Sequence, residues 1–298
     1  MSTVFLVNPA SANRSTGRRW PVLAREAADL GLRGDALISE RPGHIVELAA
    51  EAARGGATQL AVVGGDGTVH EALNGLMRAG GSDVELAVLS RGTGTDFARS
   101  LGVPRKFKDA VGVALKGRIR TIDVGLATFH HGEAWFANFA GAGISGAIAR
   151  DANDSSKALG GRASFMVSTV KVFARWKSAA VEAAVGTETR NGPMFEIVAM
   201  NGPYAAGGMR IAPEASLDDG LLDCVFFGDI TKVDFVTTFP KIYSGRHLTH
   251  PKIQLVRAPS VTIQADPPLP VVLDGEQPGT TPARFEIVPR ALRVRVPD

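Results

Sequence analysis

The chain has 298 residues, of which 45% are hydrophobic and 21% are charged. This composition is typical of a globular protein with a buried core and excludes a disordered or collagen-like chain. Cys224 is the only cysteine, which excludes an intrachain disulfide and a cysteine-rich zinc site and fits a reducing cytoplasm. A formal net charge of +3 is too small to predict a nucleic-acid groove. Because no secretory signal precedes Asn8 and no apolar run is long enough to span a bilayer, we expect a cytoplasmic protein.

The length favours two domains, and the first is predicted over residues 1–122. There, short apolar runs alternate with longer amphipathic ones, a pattern typical of a parallel sheet covered by helices. Each turn from strand to helix falls at the carboxyl edge of the sheet, where open α/β sheets bind ligands. The predicted strands are Thr3–Val7, Asp35–Ile38, Gln59–Val63 and Glu85–Leu89, and the predicted helices are Trp20–Leu30, His44–Ala53 and Val69–Met77.

From residue 123 the pattern changes to short strands separated by Gly, Pro and Asn. This spacing predicts a mainly antiparallel β-sandwich over residues 123–298, with the last strand as a candidate to return to the first domain. The predicted strands are Trp135–Phe139, Met194–Met200, Leu221–Phe227, Ser260–Gln264, Leu269–Leu273, Ala283–Ile287 and Leu292–Val296, and the predicted helices are Ser164–Ala180 and Lys232–Tyr243.

The most informative segment is Gly64-Gly65-Asp66-Gly67-Thr68, where a buried strand turns on glycines into a helix. Glycines let backbone N–H groups approach phosphate oxygens closely, and the amino end of the following helix offers further unpaired donors. The carboxylate of Asp66 suits Mg²⁺. The alternative is an ordinary tight turn in which Asp66 caps the helix.

Two further loops leave strands at the same predicted edge. In Ser90–Arg99, Thr93 is a candidate to donate its hydroxyl to a phosphate, and Asp96 is either a helix cap or a second carboxylate facing the metal. The turn Asn8–Arg19 is rich in small hydrogen-bonding residues and arginine, which suits a lid over a triphosphate. Its alternative is a solvated loop.

The second half of the chain carries two clusters of carboxylates. Acidic residues surround Gly220 just before a predicted strand, which fits either a site for a hard cation or a common hairpin turn. Asp274-Gly275-Glu276 ends an apolar strand on two carboxylates. Either one is a candidate to accept the proton of an attacking hydroxyl, and a plain turn is equally compatible.

Taken in order, these segments resemble the diacylglycerol kinase catalytic family, which includes bacterial lipid kinases and is related to sphingosine and ceramide kinases. The resemblance runs from Asn8 to Glu276. It implies a nucleotide-binding α/β domain, a β-sandwich lipid domain, and Mg²⁺-dependent transfer of the γ-phosphoryl group of ATP to a lipid hydroxyl. Its most specific parts are Gly64–Thr68 with Glu71 and Asn74-Gly75-Leu76, Gly92-Thr93 with Asp96-Phe97-Ala98-Arg99, Pro213 with Asp219-Gly220, and Asp274-Gly275-Glu276.

The resemblance also implies individual roles. Asp66 and Asp96 would organise the phosphates and the catalytic Mg²⁺, while Glu276 would accept the proton, with Asp274 as its competitor. A second, structural Mg²⁺ would be held by Ser216, Asp219 and the Leu221 carbonyl. The residues that would contact ATP are Asn8, Pro9, Ser11, Ser39, Gly64, Gly65, Asp66, Gly67, Thr68, Val69, His70, Glu71 and Thr93.

The chain departs from the family pattern at three places. Ser90 stands where the family has Pro, Thr95 stands where it has Asn, and the first loop is longer. The choice among Ser11, Asn13, Ser15 and Gly17 as the residue that touches phosphate is therefore open. The altered second loop keeps open a catalytically silent nucleotide- or lipid-binding regulator, and a NAD kinase is the other alternative because it shares the Gly-Gly-Asp-Gly-Thr turn.

The sequence leaves the acceptor lipid open among diacylglycerol, monoacylglycerol, phosphatidylglycerol, ceramide and sphingoid bases. Each of these lipids lies in a membrane, so the protein must contact a membrane surface transiently. We expect this contact at the inner face of the cell membrane. The predicted helix Ser164–Ala180 is the candidate, either lying in the interface or packing its apolar face on the sandwich. Its apolar residues are Phe165, Val170, Phe173 and Trp176, and its basic residues are Lys171, Arg175 and Lys177. The oligomeric state is not predicted.

Overall fold

The computed structural model describes residues 2–81, 83–92, 94–159 and 161–298, and the side chains of residues 153–166 lie outside that description. The chain divides into two units. The first contains Met1–Val124, Ala206–Gly208 and Pro289–Asp298, and the second contains Gly125–Ala205 and Met209–Val288.

The first unit is built on a parallel sheet in the order β2, β1, β3, β4. Strands β1, β3 and β4 are buried along their whole length, as expected of parallel strands covered on both faces. The elements are β1 (Thr3–Val7), α1 (Ser15–Asp29), β2 (Asp35–Ile38), α2 (His44–Arg54), β3 (Gln59–Gly64), α3 (Asp66–Arg78), β4 (Glu85–Ser90), α4 (Asp96–Ser100), α5 (Phe107–Lys116) and the start of β5 (Arg118–Phe129).

Two helices of this unit begin earlier than the sequence pattern predicts. Helix α1 begins at Ser15 rather than Trp20, because its buried face already starts at Thr16 and continues through Trp20 and Leu23. Helix α3 begins at Asp66 directly after the glycine turn. Helix α4 begins at Asp96, where the sequence predicts the start of a helix, and only α5 escaped prediction.

The second unit contains antiparallel strands of two sheets, and one of these sheets has the order β12, β11, β10, β7, β14, β15. Residues of both sheets, such as Ile197 and Phe285, share one buried cluster, so the unit is a sandwich. Its elements are β6 (Gly132–Phe136), β7 (Phe139–Gly143), α6 (Ile144–Leu159), α7 (Gly161–Arg175), β8 (Ala179–Val185), β9 (Glu188–Met194), β10 (Glu196–Met200), β11 (Leu222–Phe227), α8 (Lys232–Thr238), two 3-10 helices (Phe239–Ser244 and Arg246–Thr249), β12 (Ile253–Ala258), β13 (Ser260–Asp266), β14 (Pro270–Leu273), β15 (Glu276–Thr280) and β16 (Ala283–Val296).

Three predictions in this half are wrong in detail. The predicted strand Trp135–Phe139 straddles two strands, β6 and β7. The predicted helix Ser164–Ala180 ends at Arg175, and β8 follows it. The two predicted terminal strands are one strand, β16, whose last part pairs with β4 in the first unit. Among the described residues, no helix combines the length and apolarity required to cross a membrane.

Candidate active site

Three loops of the first unit meet at the carboxyl edge of its sheet. The parallel register places Val7 beside Val63 and Gly64 beside Ser90, so the strands end at the same level. The N–H of Asn8 donates to the Val63 carbonyl (3.1 Å), and the N–H of Arg91 donates to the Gly64 carbonyl (2.6 Å). The structure therefore brings together the first loop, the glycine turn and the second loop. Ser39 joins them, since its N–H donates to the Val7 carbonyl (2.9 Å).

The two glycine loops contact each other backbone to backbone. A Cβ on Gly92 would lie 2.7 Å from the Gly65 Cα, and a Cβ on Gly64 would lie 2.2 Å from Thr68 Oγ1. Only glycine fits these approaches. Helix α3 follows with Gly65 as its N-cap, which provides no side-chain hydrogen bond, and the amino end of a helix favours an anion.

Neither Asp66 nor Asp96 caps the helix that it begins, because the N-cap of α3 is Gly65 and that of α4 is Thr95. Asp66 Oδ1 accepts a hydrogen bond from the Phe97 N–H (3.2 Å). Asp96 is buried, where its Oδ2 accepts from the Gly207 N–H (2.6 Å) and its Oδ1 contacts Arg99 Nη1 (2.7 Å). Burial raises the pKa of Asp96, and the Gly207 N–H and Arg99 only partly oppose that rise.

The two carboxylates face a common space beside Gly94. A Cβ on Gly94 would lie 2.7 Å from Asp66 Oδ2 and 3.8 Å from Asp96 Oδ2. Within the described part of the chain, no group of three or more His, Cys, Asp or Glu side chains is arranged to hold a metal. One or two carboxylates completed by water and phosphate oxygens are the usual protein environment of Mg²⁺. The donor set therefore fits a metal shared with a phosphorylated ligand.

The first loop is a compact turn stabilised by its own polar groups. Asn8 Nδ2 donates to Thr68 Oγ1 (3.0 Å), which joins this loop to α3. The Ser11 hydroxyl lies 2.7 Å from Thr16 Oγ1 and 2.9 Å from the Asn8 carbonyl, so it is used within the loop. Pro9 packs against Gly17, where a Cβ would lie 2.8 Å from the Pro9 Cβ. The three residues with left-handed backbone in the longer part of this loop are Ala12 (φ 51°), Asn13 (φ 55°) and Arg14 (φ 62°).

Several predicted ATP contacts have a structural role in α2 and α3. Glu71 accepts hydrogen bonds from the N–H groups of Gly43 (3.2 Å) and Ile45 (3.2 Å), and so caps α2. The side chain of Val69 is buried in the core, and its N–H donates to the Gly65 carbonyl (3.1 Å). Gly67 and His70 are residues of the first two turns of α3. Thr93 lies outside the described residues.

In the second unit, Asp274 and Glu276 flank the turn between β14 and β15 but differ in their contacts. Asp274 Oδ2 accepts from the Ala137 N–H (2.6 Å), and its Oδ1 accepts from the N–H groups of Asn138 (2.9 Å) and Phe139 (3.0 Å). The side chain of Glu276 is exposed, and no hydrogen bond is found for it among the described residues. Asp274 is thus committed to the backbone, while Glu276 is available.

The residues predicted to hold a structural metal lie beside an arginine, Arg257. Arg257 contacts Asp219 Oδ2, and its Nε lies 3.5 Å from Oδ2 of the buried Asp223. Burial raises the pKa of Asp223, Arg257 opposes the rise, and nearby Asp219 and Glu214 add to it. The Ser216 hydroxyl donates to Asp218 Oδ1 (2.8 Å), and the Leu221 N–H donates to Asp219 Oδ1 (3.1 Å). This excess of carboxylates over cations fits a divalent ion. Asp223 ends the acidic segment of the sequence but was not among the predicted ligands, and Arg257 escaped prediction.

A further buried carboxyl, Glu196, also escaped prediction, because it lies within an apolar strand and carries no motif. Burial raises its pKa to about 7, and hydrogen bonds from Ser145 oppose the rise. The Ser145 N–H donates to Glu196 Oε2 (2.9 Å), and the Ser145 hydroxyl donates to Oε1. Glu196 therefore caps the amino end of α6.

Comparison with known proteins covers nearly the whole chain. A family model described as the diacylglycerol kinase catalytic domain matches residues 2–127, and one described as the YegS C-terminal NAD kinase beta sandwich-like domain matches residues 138–296. A "Probable lipid kinase YegS-like" protein of Chromohalobacter salexigens is 31% identical over 86% of this chain and 81% of its own length. The chain belongs to the diacylglycerol kinase family of lipid kinases.

Other members of the diacylglycerol kinase family are similar to this chain in sequence and in fold. The Mycobacterium tuberculosis protein named diacylglycerol kinase is 30% identical over 84% of this chain and 80% of its own length. A crystal structure of a diacylglycerol kinase from Bacillus anthracis has the same fold, with a TM-score of 0.72 and 20% identity over 99% of this chain and 96% of that one. The resemblance found in the sequence is confirmed, and so is the fold class of an α/β domain with a β-sandwich domain.

The departure from the family pattern at Thr95 has a visible structural effect. Thr95 has φ 55° and ψ 38°, a left-handed conformation that a β-branched residue adopts only under strain. Its hydroxyl is buried and has no hydrogen-bond partner among the described residues. Asn tolerates this conformation far better. Ser90, a second departure, ends β4 without irregularity.

Proposed function

We propose that this lipid kinase transfers the γ-phosphoryl group of ATP, with Mg²⁺, to a hydroxyl of diacylglycerol or a related lipid. The observation that carries the proposal is the pair Asp66 and Asp96, which face a common space at the meeting point of two glycine loops. Phosphoryl transfer depends on positioning and charge neutralisation more than on covalent chemistry by the protein. Relatives named diacylglycerol kinase support this class of acceptor.

Each part of the first unit would have a separate task. The glycine turn and the amino end of α3 would bind phosphate oxygens through backbone N–H groups. Asp66 and Asp96 would hold Mg²⁺, which when bound would neutralise negative charge on the phosphates. A cation there would also stabilise the ionised form of Asp96, which burial disfavours.

Glu276 is the proposed acceptor of the lipid hydroxyl proton, and Asp274 is the proposed positioning residue. The exposed side chain of Glu276 is available to a substrate, whereas the Asp274 carboxylate accepts three backbone N–H groups. A carboxylate that already accepts these bonds is a poor proton acceptor, because protonation would disrupt them.

For the structural Mg²⁺, the proposed ligands are the Ser216 hydroxyl, Asp219 and the Leu221 carbonyl. The excess of carboxylates around Arg257 supports this site. Such an ion would stabilise the turn that precedes β11 rather than take part in the chemistry. We expect Mg²⁺ to raise the melting temperature of the nucleotide-free protein, and Asp219→Ala to reduce that increase more than Asp66→Ala does.

The proposed membrane contact lies on α7 and α8. Phe173 of α7 packs against Phe235 of α8 with ring centroids 4.3 Å apart, and Trp176 Nε1 donates to the Phe195 carbonyl (3.0 Å). These rings pack inward, as the packing alternative anticipated, and the side chain of Phe165 lies outside the description. The exposed valines are Val170 (65%), Val233 (73%) and Val236 (63%), and the exposed basic residues near them in the sequence are Lys171, Arg175, Lys177, Lys232 and Lys241. Apolar and basic side chains together suit an anionic bilayer surface.

A panel of acceptors tests the proposed function. Purified protein with ATP and Mg²⁺ would be offered diacylglycerol, monoacylglycerol, phosphatidylglycerol, ceramide, a sphingoid base and NAD, and products would be resolved by mass spectrometry. We expect one phosphorylated lipid, lost when Mg²⁺ is chelated and lost in Asp66→Ala. Asp109→Ala, which removes an exposed carboxylate from the first turn of α5, is the matched control and should retain activity. Phosphorylated NAD, or no product at all, would overturn the proposal.

A further inference from the structure

We propose that Arg91 binds the terminal phosphates of the nucleotide and so positions the transferring group. The inference deepens the proposed use of ATP and rests on it. Arg91 does not belong to the set of contacts that the family resemblance implies.

The backbone of Arg91 is fixed to the glycine turn. It follows β4 directly, and its N–H donates to the Gly64 carbonyl at 2.6 Å. Its guanidinium extends to the first loop, where Nη2 lies 3.3 Å from the Ser15 hydroxyl. Ser15 is the first residue of α1, a helix whose N-cap provides no side-chain hydrogen bond. Arg91 thus joins the second glycine loop to a helix terminus that itself favours negative charge.

The charge of Arg91 is incompletely satisfied within the protein. Its side chain is partly buried, and Nε is shielded from solvent without a hydrogen-bond partner among the described residues. Burial lowers the pKa of Arg91, and the charge of Arg19 lowers it further. In the described part of the chain no carboxylate forms an ion pair with Arg91. A partly buried cation beside a like charge is destabilising unless an anion completes the site.

The geometry of the site selects the kind of anion. A guanidinium presents its N–H donors in a fixed planar fork that matches two phosphate oxygens. Arg91 follows Ser90 and precedes Gly92, so it lies at the point where the glycine loops would hold phosphates. A polyphosphate would therefore meet the guanidinium as well as any metal held by Asp66 and Asp96. A nucleoside monophosphate lacks the β- and γ-phosphates that would meet this guanidinium.

Nucleotide binding measured by calorimetry distinguishes this role. AMP, ADP and a non-hydrolysable ATP analogue would be titrated with Mg²⁺ into wild type, Arg91→Ala, Arg91→Lys and Ser15→Ala. We expect Arg91→Ala to weaken binding of the ATP analogue by about tenfold or more, which is the typical contribution of a hydrogen bond to a charged group. Binding of AMP should stay within about twofold of the wild-type value. Arg91→Lys should restore part of the loss, because it keeps the charge without the fork. Arg25→Ala, an exposed arginine on α1, is the matched control.

Each other outcome counts against the inference. Equal binding of the ATP analogue by wild type and Arg91→Ala overturns it, and so does an equal loss for AMP and the analogue. If Ser15→Ala reproduces the whole loss, Arg91 only tethers two loops and the inference fails. Arg91→Met, which keeps the aliphatic stem, replaces the alanine variant under the same criteria if that variant has no thermal unfolding transition. If the wild-type protein bound no nucleotide, the result would contradict the proposed function itself, and this inference would fail with it.

Discussion

Gly65 and Gly92 belong to different loops and approach so closely that a Cβ on Gly92 would lie 2.7 Å from the Gly65 Cα. We expect Gly92→Ala to separate the two loops, which would reduce kcat/KM by more than about tenfold and stability by about 1 to 3 kcal/mol. Gly112→Ala is the control, because Gly112 lies in α5 with open space around its Cα and should gain stability. Kinetics and urea unfolding of both variants test this expectation, and wild-type kinetics for Gly92→Ala would contradict it.

Thr95→Asn should stabilise the protein by about 1 kcal/mol, because Asn tolerates the left-handed backbone that strains a β-branched residue. Thr95→Val should also stabilise the protein, by about 1 kcal/mol, since it replaces a buried hydroxyl without a partner among the described residues by a methyl group. Urea unfolding at constant pH measures both. A destabilised Thr95→Asn would show that the hydroxyl or the methyl group of Thr95 has a role that the contacts do not reveal.

The two carboxylates of the β14–β15 turn should respond in opposite ways to removal of their charge. Glu276→Gln should lower kcat by about 10²- to 10⁴-fold with little change in stability, as expected for a proton acceptor. Asp274→Asn should destabilise the protein by about 2 kcal/mol, because its amide group would face a backbone N–H donor. Kinetics combined with thermal unfolding separates the two roles. An exchange of the two outcomes would make Asp274 the acceptor.

The buried carboxyl of Glu196 should make stability fall as pH rises from about 5 to about 8. Its pKa of about 7 in the folded protein exceeds the ordinary value of 4.5, so the folded state holds more protons than the unfolded chain between those values. Stability therefore decreases with rising pH across this window. We expect Glu196→Gln to remove a decrease of about 3 kcal/mol. Urea unfolding at pH 5 and pH 8 tests this, and parallel pH profiles for wild type and variant would contradict it.

The exposed valines of α8 should strengthen binding to anionic membranes. We expect the double variant Val233→Ser, Val236→Ser to reduce flotation with vesicles containing phosphatidylglycerol by about tenfold. The two exposed valine side chains would enter the bilayer, and the variant loses that burial of apolar surface. Val22→Ser, which alters a valine of similar exposure on α1, should float like wild type. Both variants should phosphorylate lipid dispersed in detergent at the wild-type rate. Equal flotation of the double variant and wild type would exclude this surface.

The sequence was sufficient for the features that depend on local residue order. Gly64–Thr68 was predicted correctly as a turn into a helix, because a buried strand, glycines and an amphipathic run follow one another directly. Strand β8 was missed and its first two residues were placed in the predicted helix Ser164–Ala180, because Ala179–Val185 is rich in alanine and only its pairing with β13 and β9 makes it a strand.

Contacts between distant residues were beyond sequence reasoning. The backbone donors that hold Asp274 come from Ala137 to Phe139, more than a hundred residues earlier. Glu196 and Ser145 meet only because β10 pairs with β7, and the attachment of Arg91 to Ser15 requires the sheet to bring their loops together. In each case the residue type was visible and its partner was not.

The terminal strand β16 has a consequence for the order in which the protein can assemble. Arg295 Nε contacts Glu85 Oε2 at 2.6 Å across 210 residues, and the end of β16 runs beside β4. During translation, the first unit emerges with one edge of β4 uncovered and a buried glutamate without its arginine. It can reach its final form only after the whole sandwich has been synthesised. A fragment ending before Pro289 should therefore expose a strand edge and be prone to aggregate, which makes the two units interdependent in biogenesis although each has its own core.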